Sequence, residues 1–145
     1  MSGVRFSHIG LCVADAERSL RFYTQALGFE EKARYEVGDE FAPVLEVPPP
    51  IKLKSLFVVK DGVQLEFLEY VSPGHHGSDE RRPMNRLGLT HLSVLVEAIE
   101  PAVEAVLAHG SKVHRETYFR NGLGGEFIYC TDPDGIRVEL MNIPG

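Results

Sequence analysis

The stretch DGVQLEF (residues 61–67) is matched in outline by DGIRVEL (residues 134–140). Both open with Asp-Gly, continue with alternating apolar and polar residues, and carry a glutamate at their sixth position, Glu66 and Glu139. Asp-Gly is typical of tight turns, and alternation is typical of half-buried strands, so each stretch predicts a turn followed by a strand. Neither feature requires a carboxylate at a fixed position. The recurring glutamate therefore indicates a repeated unit with a chemical role.

The repeat extends upstream of these strands, where FSHIGLCVADAERSLRFYTQALGFE (6–30) compares with LTHLSVLVEAIEPAVEAVLAHGSKV (89–113). Each segment predicts a strand with a histidine at its third residue, His8 or His91. A helix then follows and ends at a glycine, Gly28 or Gly110, as a left-handed cap requires. The apolar positions that predict the helices are Leu20, Phe22, Tyr23 and Leu27 in the first half and Val103, Val106 and Leu107 in the second.

Extended, β-branched and aromatic runs follow each helix, so each half is predicted to be β-α-β-β-β. The predicted fold class is α+β, with two βαβββ modules in tandem at about 4–70 and 87–142 in a single domain, 1–145. A polar linker, 71–88, separates the modules. The first half is longer because of a predicted loop around FAPVLEVPPP (41–50), whose prolines do not suit a central strand.

Side-chain alternation places one histidine and one glutamate of each module on the sheet face that points away from the helix. If the two sheets join with these faces inward, the four side chains converge. Two imidazoles and two carboxylates suit a divalent transition metal and leave coordination positions open for water or substrate. The predicted metal ligands are His8, Glu66, His91 and Glu139.

The composition limits the classes of partner. The net charge of -6 argues against a nucleic acid or an anionic membrane surface, and no apolar run suggests a signal peptide or a membrane span. Two cysteines, Cys12 and Cys130, without a CxxC pair argue against a disulfide framework or a cysteine zinc site. We therefore expect a cytoplasmic protein that acts on a small molecule.

The segments SHIGLCVADAERSLRFYTQALGF, LTHLSV and DPDGIRVEL resemble the vicinal oxygen chelate superfamily, which includes glyoxalase I, methylmalonyl-CoA epimerase, extradiol dioxygenases and bleomycin-resistance proteins. The resemblance covers nearly the whole chain and implies two modules forming a curved sheet cup around one metal, with its ligands at the four positions given above. It also implies a homodimer. The metal expected is a single divalent ion per site, with Zn, Ni, Mn, Co and Fe all compatible.

The resemblance to glyoxalase I is incomplete at the positions that grip glutathione. The family's arginine, four residues after the first ligand, falls on Cys12, and its asparagine, four residues after the first glutamate ligand, falls on Tyr70. Both replacements remove hydrogen-bonding groups for a charged tripeptide, so a glutathione substrate is not expected. Methylmalonyl-CoA epimerases also need a second carboxylate base, which LKSLFVV (53–59) lacks, although Glu46 precedes it.

Extradiol dioxygenases offer an alternative, because they hold iron with two histidines and one glutamate, for which His8, His91 and Glu139 would serve. The tail YCTDPDGIRVE (129–139) matches their signature, but Arg120, Asn121 and Gly122 stand where a histidine is expected. A drug- or metabolite-sequestering binding protein is the second alternative.

The function expected from the resemblance is a metal-dependent lyase or isomerase of the glyoxalase type, which acts on a small vicinally oxygenated substrate through an enediolate-like intermediate. Glu139 or Glu66 is the expected catalytic base, and the residues alone do not choose between them. His75 and His76, in the linker, are more typical of a solvated loop than of a lid. The candidate residues at the substrate rim are Tyr70, Arg120, Asn121 and Arg137.

Overall fold

The computed structural model describes residues 3–144, which divide into two compact units between His76 and Gly77. We call them the first and second modules. The elements of the first are β1 (Ile9–Cys12), α1 (Ala16–Gln25), β2 (Glu30–Val37), a 3-10 turn (Asp39–Phe41), α2 (Ala42–Leu45), β3 (Lys52–Lys60) and β4 (Val63–Ser72). Those of the second are β5 (Leu92–Leu95), α3 (Ile99–Ala108), β6 (Lys112–Arg120), β7 (Glu126–Thr131) and β8 (Arg137–Asn142).

Each module contains one four-stranded mixed sheet, and the two sheets have the same topology. The strand order is β1-β4-β3-β2 in the first module and β5-β8-β7-β6 in the second. The first strand of each module lies parallel to the last, and the remaining neighbours are antiparallel. The prediction of two tandem βαβββ modules is confirmed.

The helices pack on their sheets much as the sequence predicted. The Asp15 side chain accepts hydrogen bonds from the backbone N–H groups of Glu17 and Arg18, which caps α1. Gly28 and Gly110 have positive φ angles of 79° and 87°, the left-handed conformation in which glycine ends a helix at least cost. The side chains buried by the two helices are Ala16, Ser19, Phe22 and Tyr23 from α1 and Ile99, Val103 and Val106 from α3.

Two parts of this prediction need correction. Leu107 is 48% exposed. The buried face of α3 consists of Ile99, Val103 and Val106, so it begins one turn before Val103, the first position predicted. His8 and His91 were predicted to lie within strands, but β1 and β5 begin at the next residue. The parallel ladders first pair Ile9 with Leu65 and Leu92 with Val138, so each histidine immediately precedes its strand.

The two Asp-Gly pairs occupy different turns. Asp61 and Gly62 both have positive φ, and the flanking Lys60 and Val63 pair across a two-residue hairpin. Asp134 and Gly135 lie instead in a longer loop between β7 and β8. In that loop Oδ1 of Asp132 accepts hydrogen bonds from the backbone N–H groups of Asp134 and Ile136.

The loop predicted around residues 41–50 contains the short helix α2, which ends at Glu46 in the left-handed conformation. The Asp39 side chain accepts a 2.6 Å hydrogen bond from the backbone N–H of Ile51, which links the two ends of the segment between β2 and β3. The insertion is therefore a structured segment before β3 and leaves the order of the sheet unchanged.

The linker segment is not a simple tether, because residues 79–81 contact β6 and the loop between β7 and β8. Arg81 forms an ion pair with Glu116 of β6 at 3.3 Å. A Cβ added at Gly135 would overlap with the carbonyl group of Asp79, so backbone meets backbone there. Part of the charged run DERRP (79–83) is therefore held against the rest of the second module.

Candidate metal-binding site

In the first module, a histidine and a glutamate meet at the start of β1. Glu66 lies on β4 beside Gly10, and its Oε1 is 3.1 Å from Nε2 of His8. Leu65 and Phe67, which flank it, are fully buried on the helix side, so alternation turns Glu66 to the opposite face. Its side chain is 17% exposed. The predicted His8–Glu66 pair is therefore present as a contact.

The second module repeats this arrangement. Glu139 lies on β8 beside Ser93, and its Oε1 is 3.4 Å from Nε2 of His91. Val138 and Leu140 are fully buried on the helix side, and the Glu139 side chain is again 17% exposed. Both modules thus present one imidazole nitrogen and one carboxylate oxygen at equivalent positions.

A hydroxyl residue precedes each histidine and orients its ring. Oγ of Ser7 lies 2.7 Å from Nδ1 of His8, and Oγ1 of Thr90 lies 2.8 Å from Nδ1 of His91. A hydrogen bond at Nδ1 leaves Nε2 to face the carboxylate. Metal-binding histidines are usually held by such a hydrogen bond at the ring nitrogen that does not bind the metal. The sequence signal was available in SHIGL and THLSV, but the prediction did not use it.

An aromatic ring packs against each histidine from the neighbouring strand. Phe57 pairs with Glu66 across β3 and β4 and meets the His8 ring edge-on at 5.2 Å. Tyr129 pairs with Glu139 across β7 and β8 and meets the His91 ring edge-on at 5.4 Å. Burial raises the pKa of the Tyr129 hydroxyl, and the Glu139 charge raises it further.

The two glutamates differ in one respect. The Ser55 hydroxyl donates a 2.6 Å hydrogen bond to Oε2 of Glu66. Ser55 lies two residues before Phe57 on β3, and the position two residues before Tyr129 on β7 is Phe127. Within residues 3–144, no side-chain hydroxyl is hydrogen-bonded to Glu139. Glu66 is thus held at both oxygens, whereas Glu139 is held only from the histidine side.

The candidate rim residues have different environments. Burial raises the pKa of Tyr70, with further contributions from Cys12 and Glu66, so these three residues lie within electrostatic reach of one another. Arg137 lies within electrostatic reach of Tyr129, and its positive charge lowers the pKa of that hydroxyl. Oδ1 of Asn121 instead accepts hydrogen bonds from the N–H groups of Leu123 and Gly125, which commits this side chain to the β6–β7 turn.

Several other positions named from the sequence lie apart from these pairs. Arg120 is exposed at the end of β6, and His75 and His76 are exposed after β4. The DPDG motif that resembles the dioxygenase tail forms the loop held by Asp132, so the motif has a structural role that requires no oxygen chemistry. Within residues 3–144, no helix is long and apolar enough to cross a membrane.

The donor set of each pair fits a divalent metal. Two atoms that are each about 2.1 Å from one ion, at octahedral or tetrahedral angles, lie about 3.0 to 3.4 Å apart. The N–O separations of 3.1 and 3.4 Å agree with this range. In the part of the chain that the structure describes, no three His, Cys, Asp or Glu side chains form a group that could hold a metal ion. What the structure shows is therefore one pair of candidate ligands within each module.

Comparison with known proteins gives the family. A family model for the Glyoxalase/Bleomycin resistance protein/Dioxygenase superfamily matches residues 5–140, which is nearly the whole chain. The chain belongs to this superfamily. The matched range includes both His–Glu pairs, and the resemblance inferred from the repeated segments is confirmed.

Among related proteins in this superfamily, the uncharacterized protein YqjT of Bacillus subtilis is 30% identical over 142 residues, which cover 92% of this chain and 95% of YqjT. A putative lactoylglutathione lyase of Brassica oleracea is also 30% identical, over 94% of this chain, but the match covers 44% of the plant protein. This chain thus spans less than half of the plant protein.

Solved structures of the superfamily share the fold. A glyoxalase family protein from Bacillus cereus superposes with a TM-score of 0.84 at 19% identity and covers 100% of this chain and 99% of that one. A fosfomycin resistance protein from Listeria monocytogenes, solved with Mn(II) and sulfate, has a TM-score of 0.60 at 21% identity over 99% of this chain and 94% of its own. These likenesses establish the architecture of the glyoxalase fold.

Proposed function

We propose that this protein is a metal-dependent lyase or isomerase that moves a proton on a small molecule with two adjacent oxygen atoms. The observation that carries the proposal is the repeated pair of an imidazole Nε2 and a carboxylate Oε1, with a hydroxyl at Nδ1 of each histidine. A chance ion pair in one module would not be expected to recur in the other with the same orienting hydroxyl.

His8, Glu66, His91 and Glu139 would hold one divalent ion between them. When bound, the ion would supply a Lewis acid for a substrate carbonyl. Within each module the protein contributes orientation, because the Ser7 and Thr90 hydroxyls hold Nδ1 and so direct Nε2 towards the site.

Glu139 is the residue that we assign as the base. Its carboxylate would accept the proton from the carbon beside the substrate carbonyl and return it to the product. The assignment rests on the contrast with Glu66, whose Oε2 already accepts a hydrogen bond from Ser55. A carboxylate held at both oxygens suits a permanent ligand, and one without that second donor is better able to move.

The test combines metal analysis with exchange of substrate hydrogen for deuterium in D₂O, followed by NMR over a panel of α-hydroxyketones and α-oxoacids. We expect the wild type to bind about one ion per chain and to catalyse exchange for part of the panel. Glu139→Gln should retain the ion and lose exchange, whereas Glu66→Gln should lose both. Exchange at the wild-type rate in Glu139→Gln would remove that residue as the base, and a metal-free wild type would overturn the proposal.

The alternative function, a ring-cleaving dioxygenase, predicts a different reaction from that of a lyase or isomerase. A ring-cleaving dioxygenase would consume O₂ with a catechol, and no feature of residues 3–144 favours that reaction over proton transfer. An oxygen electrode with catechol as substrate makes the distinction directly. We expect no O₂ uptake above the rate without protein.

A further inference from the structure

A groove of about 610 Å³ lies in the first module, beside the residues that lead into β1. The segment before His8 forms one wall, β2 contributes Lys32, and Val59 and Gln64 contribute from the β3–β4 end of the sheet. Two cations, Arg5 and Lys32, line it, and no acidic residue is among its described lining residues. The groove is therefore electropositive in a protein whose net charge is -6.

A polar chain of contacts holds Lys32 in place. Its Nζ donates a 2.6 Å hydrogen bond to Oε1 of Gln64, and Nε2 of Gln64 lies 3.4 Å from the carbonyl oxygen of Ser7. The partner of the ammonium group is thus a neutral amide, which leaves the positive charge uncompensated. Among residues 3–144, neither Lys32 nor Arg5 forms an ion pair with a carboxylate.

The groove adjoins the proposed metal ligands. Gln64 precedes Glu66 by two residues on β4, and both side chains point to the face opposite the buried Leu65. Two residues along a strand correspond to about 6.8 Å. Ser7 contacts both the groove, through its backbone, and His8, through its hydroxyl. A molecule at the His8–Glu66 pair would need only a few bonds to reach Lys32.

We propose that this groove binds an oxyanion, a carboxylate or a phosphate, at the end of the substrate remote from the reacting carbon. The Lys32 ammonium provides a point charge, the Arg5 guanidinium a planar hydrogen-bond donor, and the Gln64 amide fixes the position of the lysine. The distance of about 6.8 Å between Gln64 and Glu66 along β4 corresponds to about four to five covalent bonds. The substrate class is then a small vicinally oxygenated molecule whose anionic group lies that many bonds from the oxygen pair. As a statement about substrate, this inference rests on the proposed function.

Binding of the anion alone can be measured without a substrate. Inorganic phosphate and acetate would be titrated separately into the ¹⁵N-labelled full-length protein, with KCl at matched ionic strength as the reference. The signals followed are the Gln64 side-chain amide and the backbone amides of Arg5 and Ser7. We expect saturable shifts at concentrations on the order of millimolar. The anion that binds more tightly identifies the tail of the substrate as a phosphate or a carboxylate.

Four variants complete the test. Lys32→Gln should weaken anion binding about tenfold through the loss of one charged contact, and Lys32→Arg should restore most of it. Lys54→Gln removes an exposed lysine that does not line the groove and should stay within twofold of the wild type. His91→Ala lies in the other module and should bind the anion normally, even when it has lost metal, which separates failure of the metal proposal from failure of this one. Shifts that equal those with KCl, or an unchanged affinity in Lys32→Gln, would overturn the anion site.

Discussion

The Ser55 hydroxyl donates a 2.6 Å hydrogen bond to Oε2 of Glu66 while Oε1 of the same carboxylate faces Nε2 of His8 at 3.1 Å. The two contacts occupy different oxygens, so they orient Glu66 without competing. The second module, with Phe127 at the position equivalent to Ser55, lacks this support. The duplicated site is therefore symmetric in its proposed ligands and asymmetric in how firmly they are held.

Removing this support should weaken metal binding. We expect Ser55→Ala to lower metal affinity by about ten- to a hundredfold, the usual effect of deleting a group that orients a ligand. Ser55→Thr retains a hydroxyl on a strand and should bind almost normally. Competitive titration with a chromogenic chelator measures both variants, and equal affinities for Ala and Thr would show that the hydrogen bond has no part in metal binding.

Both histidines should be needed for metal and neither for folding. His8 and His91 lie on the face away from the helices, so His8→Ala or His91→Ala leaves the buried apolar layer intact. Each variant should lose most of its metal by elemental analysis yet melt cooperatively. His76→Ala, which removes an exposed linker imidazole, is the matched control and should keep its metal. Full occupancy in either site variant would refute the ligand assignment.

Glutathione adducts should be poor substrates. Cys12 and Tyr70 replace the arginine and asparagine expected in glyoxalase I, and loss of two hydrogen bonds to charged groups costs at least about a hundredfold in kcat/KM. The methylglyoxal–glutathione hemithioacetal tests this in a spectrophotometric assay. The double variant Cys12→Arg with Tyr70→Asn should raise the rate. Efficient turnover by the wild type would contradict the inference.

The two Asp-Gly turns should respond differently to the same substitution. Gly62 and Gly135 both have positive φ, at 79° and 84°, but only Gly135 has backbone atoms in the space of a Cβ. Gly62→Ala should lower the free energy of unfolding by about 1 to 2 kcal/mol, the cost of the left-handed conformation. Gly135→Ala should lower it by about 2 to 5 kcal/mol, because overlap with Asp79 is added. Urea denaturation of the pair gives the comparison.

Stability should depend on pH through His114 of β6. Burial lowers its pKa below the ordinary value of 6.5, Arg81, Arg137 and Lys112 lower it further, and Glu116 opposes them. The unfolded chain therefore binds this proton more readily than the folded one. The contribution to stability is complete above pH 6.5 and is lost as the pH falls from there towards the folded pKa. His114→Gln should show a smaller loss over this interval in urea titrations, and equal slopes would exclude the effect.

The repeated pattern was sufficient to predict the modules and the two His–Glu pairs. Alternation around Glu66 and Glu139 is a local property of a strand, and the histidines recur at equivalent positions before the helices. Such signals need only the spacing of residues along one element. The contacts of each glutamate with its histidine follow from the parallel pairing of the first and last strands of a module.

The features that the sequence did not reveal depend on contacts between elements. Ser55 reaches Glu66 only because of the register of β3 on β4. Nothing in LKSLFVV indicates that the serine will lie next to a carboxylate of the neighbouring strand. The sequence also did not reveal that the parallel ladder with β4 starts at Ile9, one residue after His8. The ion pair of Arg81 with Glu116 joins residues that are 35 positions apart in sequence, so local patterning does not indicate it.

The placement of the linker against Gly135 also has an evolutionary consequence. If the modules arose by gene duplication, both Asp-Gly pairs descend from one ancestral pair, yet they are now retained under different selection. Gly62 needs only a left-handed residue and has open space around it, so asparagine or aspartate is an acceptable replacement. At Gly135 the backbone of Asp79 excludes every side chain. In lineages that keep this linker, the first glycine should drift while the second remains invariant.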